Sequence, residues 1–219
     1  MIIAIDGPAG AGKSTVAKLL AKKLHFIYLD TGAMYRALTL KIITQKIDIN
    51  DVSAIAAVAR DTRIELSDND TGSLTVLLDG KNVSSAIREP RVTEFVSDVA
   101  KIKGVREVML GLQRAFAQGC NCVADGRDTG TVVFPKAERK FFLDADFKER
   151  VKRRYNELIV KHGSTVTETA VAADLRNRDT IDSTREVAPL KKADDARYID
   201  TTLLNIEEVV DVLFKLISE

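Results

Sequence analysis

Gly7-Pro8-Ala9-Gly10-Ala11-Gly12-Lys13-Ser14 is the stretch on which the fold of this 219-residue chain turns. It fits the phosphate-loop pattern G-x-x-x-x-G-K-[ST], and its four fixed positions match by chance in about 1% of chains this long, given average residue usage. Met1 to Ile5, before it, reads as a short apolar strand of the kind buried on both faces of a parallel sheet. After it, Lys13 to Leu24 carries Val16, Ala17, Leu19, Leu20 and Leu24, with Lys18, Lys22 and Lys23 on the other side, as an amphipathic helix does. Glycines let backbone N–H groups close on phosphate oxygens, and the new helix adds its free amides and the positive end of its dipole. Lys13 brings a mobile positive charge, and the Ser14 hydroxyl can ligate Mg²⁺, which points to a nucleoside triphosphate. The expected cradle is Gly7, Pro8, Ala9, Gly10, Ala11, Gly12, Lys13, Ser14 and Thr15.

Outward from this loop, Phe26 to Leu29 reads as a second strand and Ala33 to Lys46 as a helix. Alternating strands and helices indicate an α/β fold. The pattern breaks near residue 60. Arg63 to Ser67 alternates, Asp68-Asn69-Asp70-Thr71-Gly72 is a turn cluster, Leu74 to Leu78 is apolar, and Asp79-Gly80 leads into Lys81-Asn82-Val83. Period-two runs joined by such turns are antiparallel hairpins. Helices are expected over 92–102 and 105–117, then strands at 122–125 and 140–143, charged helices over 146–161 and 167–177, a strand at 197–200 and a closing helix over 206–217. The expectation is a three-layer P-loop domain spanning 1–219. It has a five-stranded parallel sheet, an inserted antiparallel sheet within 60–95 and an arginine-rich helical region over 146–185.

Composition narrows the function. Hydrophobic residues at 45% and charged residues at 30% suit a globular core. Lys+Arg 33 against Asp+Glu 32 leaves a net charge of +1, without the basic excess that nucleic acid or membrane surfaces attract. No apolar run nears the roughly 18 residues of a membrane span, and the start lacks the pattern of a signal peptide. A cytoplasmic location is expected. Cys120, Cys122, His25 and His162 form no zinc pattern, so the cysteines read as buried free thiols and the histidines as helix-end residues. Asp125 ends an apolar run, where a magnesium-associated acid and a turn-stabilising aspartate would both fit. Arg150 and Arg176 read as surface charges on solvated helices.

Together with the P-loop, Asp30-Thr31-Gly32-Ala33-Met34-Tyr35-Arg36 resembles the bacterial cytidylate (CMP/dCMP) kinases, of the nucleoside monophosphate kinase class. The likeness continues through Val105-Arg106-Glu107, the block Asp125 to Pro135, and Val187-Ala188-Pro189-Leu190. It covers essentially residues 2 to 215. The resemblance implies Mg²⁺-dependent transfer of the γ-phosphoryl group of ATP to CMP or dCMP. No nucleic-acid, membrane or obligate protein partner is expected, and the chain is expected to act as a monomer. On it, Thr31 and Arg36 contact the acceptor nucleotide and its phosphate, and Ser97, Arg106 and Asp128 read the cytosine edge. Arg127 and Arg185 bind phosphate, Arg178 and Asp182 hold the sugar, and Arg153 and Arg154 belong to a mobile lid, Arg153 being the one expected to take part in catalysis. Thr31 stands where a serine would also serve, and Ile181 where a further arginine can occur, so one potential lid charge is missing.

Overall fold

The computed structural model describes residues 1–68, 74–162 and 166–218. Most of the turn expected at 68–72 lies outside them. The main sheet contains β1 (Ile2–Asp6), β2 (Ile27–Asp30), β6 (Cys122–Asp125), β7 (Arg139–Asp144) and β8 (Arg197–Asp200), all parallel, in the order β2-β6-β1-β7-β8. β3 (Ile64–Asp68), β4 (Leu74–Leu78) and β5 (Lys81–Asn82) form the separate antiparallel sheet. Both sheets are the ones the sequence pattern implies.

Strand alternation divides the core into two layers. Ile3 and Ile5 of β1, Val123 of β6 and Tyr28 of β2 face a layer with α1 (Lys13–Leu24) and α8 (Ile206–Ser218). Cys122, Ala124 and Leu29 face the other, with α2 (Thr31–Thr44), α3 (Val52–Arg60), α4 (Pro90–Ala100) and α5 (Lys103–Phe116). The antiparallel sheet joins that second layer through Ile64, Val76 and Leu78. A third, smaller cluster packs Ala9 against Val151, Val171 and Leu175, seating α6 (Phe147–His162) and α7 (Glu168–Thr184) against the P-loop.

Three features depart from the sequence expectation. Helix α3 was not anticipated; Asp51 caps it, accepting from Ala54 N at 2.9 Å. Helix α7 runs seven residues past its expected end at 177, to Thr184, with Asp182 buried on it. Residues Thr129–Val133 wind into a single π-turn. Gly7 is forced by contact as well as conformation: at φ +148°, a Cβ there would lie 1.9 Å from Leu143 O of β7. The P-loop therefore lies flush on the sheet's carboxyl end, where ligands of open α/β sheets collect.

Candidate active site

Lys13 opens α1 and is buried, its ammonium donating to Pro8 O at 2.7 Å across the loop. Burial first, and then Arg127, push its pKa down, while Asp125, Asp6 and Asp182 pull it up. Ser14 and Thr15 are exposed on the first turn of the helix. The Ser14 hydroxyl donates to Asp125 Oδ2 at 2.8 Å, and the Tyr28 hydroxyl donates to Asp125 Oδ1 at 2.8 Å. Asp125 is thus an acid facing the P-loop serine. Burial and the nearby Asp30 push its pKa up. Thr31 donates its hydroxyl to Asp125 O at 2.7 Å, tying the start of α2 to the same strand end. Among the described residues no cluster of three acidic, histidine or cysteine side chains could hold a metal. Two adjacent hard oxygens, Ser14 and Asp125, nonetheless suit Mg²⁺, which commonly takes one or two protein ligands and fills its shell with phosphate and water.

A group of guanidinium side chains is linked to Lys13 through the charge of Arg127, which acts on both Lys13 and Arg178. Arg36 of α2 donates to Thr93 Oγ1 at 2.9 Å and Ile87 O at 3.3 Å. Arg88 donates to Asp30 Oδ2 at 2.6 Å. Burial and then Arg178, Arg88 and Arg154 push the Arg36 pKa down, as burial, Arg127 and Arg154 do for Arg178. The Nε atoms of Arg154 and Arg178 are buried without a hydrogen-bond partner. Cations so crowded, with donors unused, mark a place built for an anion.

Beside this group, Arg106 of α5 bonds Asp128, and Arg185 donates to the other Asp128 oxygen at 3.1 Å. Asp182 accepts from Arg127 Nε at 2.8 Å and lies 3.6 Å from Arg185. Arg106 also donates to Ala100 O at the end of α4, one turn beyond the buried Ser97, and lies 5.5 Å over the Tyr35 ring. A cavity of about 70 Å³ is lined by Tyr35, Arg106, Gln113, Asp128 and Val133, and a wider cleft of about 400 Å³ by Lys101, Ile181, Thr184 and Arg185. All five polar residues Arg106, Arg127, Asp128, Asp182 and Arg185 therefore form one connected network. Arg185 sits with the Asp128 end of it, and Arg178 with the guanidinium group.

The two arginines expected in a lid part company. Arg153 donates to Thr201 Oγ1 (3.1 Å), Thr201 O (2.6 Å) and Glu149 (2.9 Å), fastening α6 to the segment after β8. It is Arg154 whose charge acts on Arg36 and Arg178. Arg150, which the sequence reads as a surface charge, is buried: it donates to Ala9 O at 3.0 Å and Asp179 at 2.5 Å, and Asp179 accepts from Ala9 N at 3.2 Å. The P-loop main chain was an unseen partner, so no spacing in the sequence could reveal this contact. Arg176 lies over the Phe147 ring at 4.9 Å. Sequence reasoning also passed over Arg88 and Tyr28; the signal for Arg88 was its place just before Glu89-Pro90, at the edge of the inserted segment.

The cytidylate kinase family model matches residues 3–219. A cytidylate kinase of Geobacillus sp. is 51% identical over 99% of this chain and 96% of its own length. One of Bacillus licheniformis is 47% identical over 100% and 96%. Among solved structures, the shikimate kinase of Bacteroides thetaiotaomicron aligns over 100% of this chain and 99% of its own, with a TM-score of 0.51 and 14% identity, a likeness of fold alone. A P-loop and a crowded guanidinium group, on a scaffold these relatives match from end to end, leave one assignment: the chain belongs to the cytidylate kinase family.

Proposed function

We propose that this chain transfers the γ-phosphoryl group of ATP to CMP or dCMP, yielding ADP and CDP or dCDP. The observation that carries the acceptor assignment is the Asp128 carboxylate held between Arg106 and Arg185, beside the guanidinium group. Asp128 accepts from the exocyclic amine of cytosine, while Arg106, with Ser97, donates to the ring's O2 and N3 edge. Uracil offers a carbonyl where Asp128 needs a donor, and such a buried mismatch costs about 1–3 kcal/mol. Asp182 and Arg185 flank the sugar, with Thr31 at the neighbouring strand end. This exchanges the roles that the resemblance implies for Arg185 and Arg178, because Arg185 bonds Asp128 while Arg178 lies among the other guanidinium groups.

The acceptor phosphate has a second pKa of about 6, so its attacking oxygen is already anionic at neutral pH and needs no general base. The protein's task is to hold two anions in line. Lys13 and the P-loop amides take the donor phosphates; Arg36, Arg127, Arg154 and Arg178 take the acceptor phosphate and the phosphoryl group in flight. The new bond forms between the acceptor oxygen and the γ-phosphorus as the bond from that phosphorus to the β–γ bridging oxygen breaks, leaving ADP. Mg²⁺, held by Ser14 and Asp125 with phosphate oxygens, would supply further charge neutralisation. Residues 146–185 act as a lid: Arg150 and Asp179 tie it to Ala9, while Arg154 and Arg178 bring charge from it. The two free cysteines support a cytoplasmic location, and a site complete within one chain supports action as a monomer.

The test is nucleoside diphosphate formation from ATP with CMP, dCMP, UMP and AMP. CMP and dCMP should be the preferred acceptors, Lys13→Ala should lose activity about a hundredfold or more, and Asp128→Ala should narrow the CMP-over-UMP preference about tenfold or more. A wild type that uses UMP or AMP as well as CMP would refute the acceptor assignment.

A further inference from the structure

Asp6, the last residue of β1, takes no part in the phosphotransfer described above, yet it is buried and fully engaged. Its two carboxylate oxygens accept separately from Thr129 N and Gly130 N, each at 2.7 Å. These are the first two amides after Asp128, and they open the π-turn. The far end of that turn is held by cations. Arg114 donates to Val133 O and Val132 O, both at 2.9 Å, and Lys140 donates to Pro135 O at 2.6 Å. An anion on the leading amides and cations on the trailing carbonyls clamp the loop from both ends, the arrangement its backbone dipoles favour.

A buried carboxylate is costly unless its oxygens are bonded, and here the bonds are spent on one short loop. Asp6 also directly precedes Gly7, so the residue that sets the Asp128 loop is covalently joined to the donor loop. Gly130 shows how closely the parts fit: a Cβ there would lie 3.3 Å from Asp6 Oδ2 and 3.2 Å from Lys140 Cδ.

We propose that Asp6 is a positioning residue for base selection: through the Thr129 and Gly130 amides it fixes the Asp128 carboxylate where it meets the cytosine amine, and so sustains discrimination against uracil. This rests on the reading of Asp128 as the base reader.

Two variants approach the same contact from opposite sides. Asp6→Asn turns one acceptor oxygen into an NH₂ group facing a main-chain N–H. Gly130→Ala leaves the Asp6 charge intact and crowds the Asp6 Oδ2 and Lys140 contacts, so that the loop or its neighbours must give by a few tenths of an ångström. Both should lower the ratio of kcat/KM for CMP to that for UMP by about tenfold, while Gly130→Ala keeps KM for ATP within about twofold. Asp128→Ala, assayed alongside, separates the two ideas. Selectivity unchanged in both variants but lost in Asp128→Ala would overturn the role of Asp6 and leave Asp128 as reader. Selectivity kept in Asp128→Ala would overturn the reading itself. A selectivity loss in Asp6→Asn alone, with a raised KM for ATP, would mean that Asp6 acts through its charge on Lys13, and the positioning role would fall.

Discussion

Adjacent residues on one helix can serve different partners. Arg153 and Arg154 share α6, but 100° of helical rotation sends one to the Thr201 carbonyl and leaves the other paired with Glu157 at 2.8 Å, near enough to Arg36 for its charge to act there. Arg154→Ala should therefore lower kcat about a hundredfold with little change in thermal stability. Arg153→Ala should lower kcat far less and act mainly on thermal stability, through the loosened 201–202 segment. Steady-state kinetics on both variants decide this, and equal kcat losses would refute the division. Cys122 gives a prediction in pH. Burial pushes its thiol from 9.0 up to about 12. The folded chain thus holds this proton where the unfolded chain releases it, so stability falls as pH rises from about 9 towards 12, by at most about 1.4 kcal/mol per unit. Cys122→Ala should remove that part of the slope in denaturant titrations. At pH 8 a maleimide should modify one thiol of the native protein, the half-exposed Cys120, and two after unfolding.

Helix α5 carries two glycines that act in opposite directions. A Cβ at Gly104 would lie 2.9 Å from Ala56 Cβ of α3, so this glycine lets the two helices meet; Gly111 is exposed, with nothing within 4 Å. Gly111→Ala should stabilise the protein by up to about 1 kcal/mol through helix propensity. Gly104→Ala gains the same propensity and loses more by overpacking, for a net cost of about 1 kcal/mol. Paired melting curves check the signs, and stabilisation by both would mean that α3 is loosely seated. The same helix pair shows what a sequence discloses about elements. β1, α1 and the hairpin strands were legible because their apolar periods and glycine turns are local. Helix α3 was not anticipated, and its packing depends on a glycine 48 residues further on. Among the proposed site residues, the P-loop pattern is readable from spacing alone, and Arg36, Arg106 and Asp128 only through family resemblance. The buried roles of Arg150, Tyr28 and Asp6 are fixed by contacts more than 90 residues distant in sequence, which no local pattern encodes.

For the molecule as a whole, near-neutrality conceals a concentrated imbalance. The net charge is only +1, yet Arg36, Arg88, Arg127, Arg154 and Arg178 lie close enough to act on one another. On the proposed function, their mutual repulsion should cost stability that a bound phosphate would restore, a conflict common where function needs a site the fold alone would not favour. Each nucleotide at a hundred times its Kd should add about 2.7 kcal/mol. For a chain this size that corresponds to a rise in Tm of about 5–10 °C. Arg36→Ala separates the two sides of this balance. It loses bonds to Thr93 and Ile87 but relieves repulsion with Arg178, Arg88 and Arg154. Without nucleotide, its stability should lie within about 1 kcal/mol of the wild type, because lost bonds and relieved repulsion are each of that order. With CMP at a concentration that saturates the wild type, its Tm shift should fall below half, while the shift with ATP persists. Calorimetry of the two proteins with each nucleotide at matched ionic strength measures both sides. An Arg36→Ala protein several kcal/mol less stable without nucleotide would show that the guanidinium group holds the fold together and is not strained by its own charge.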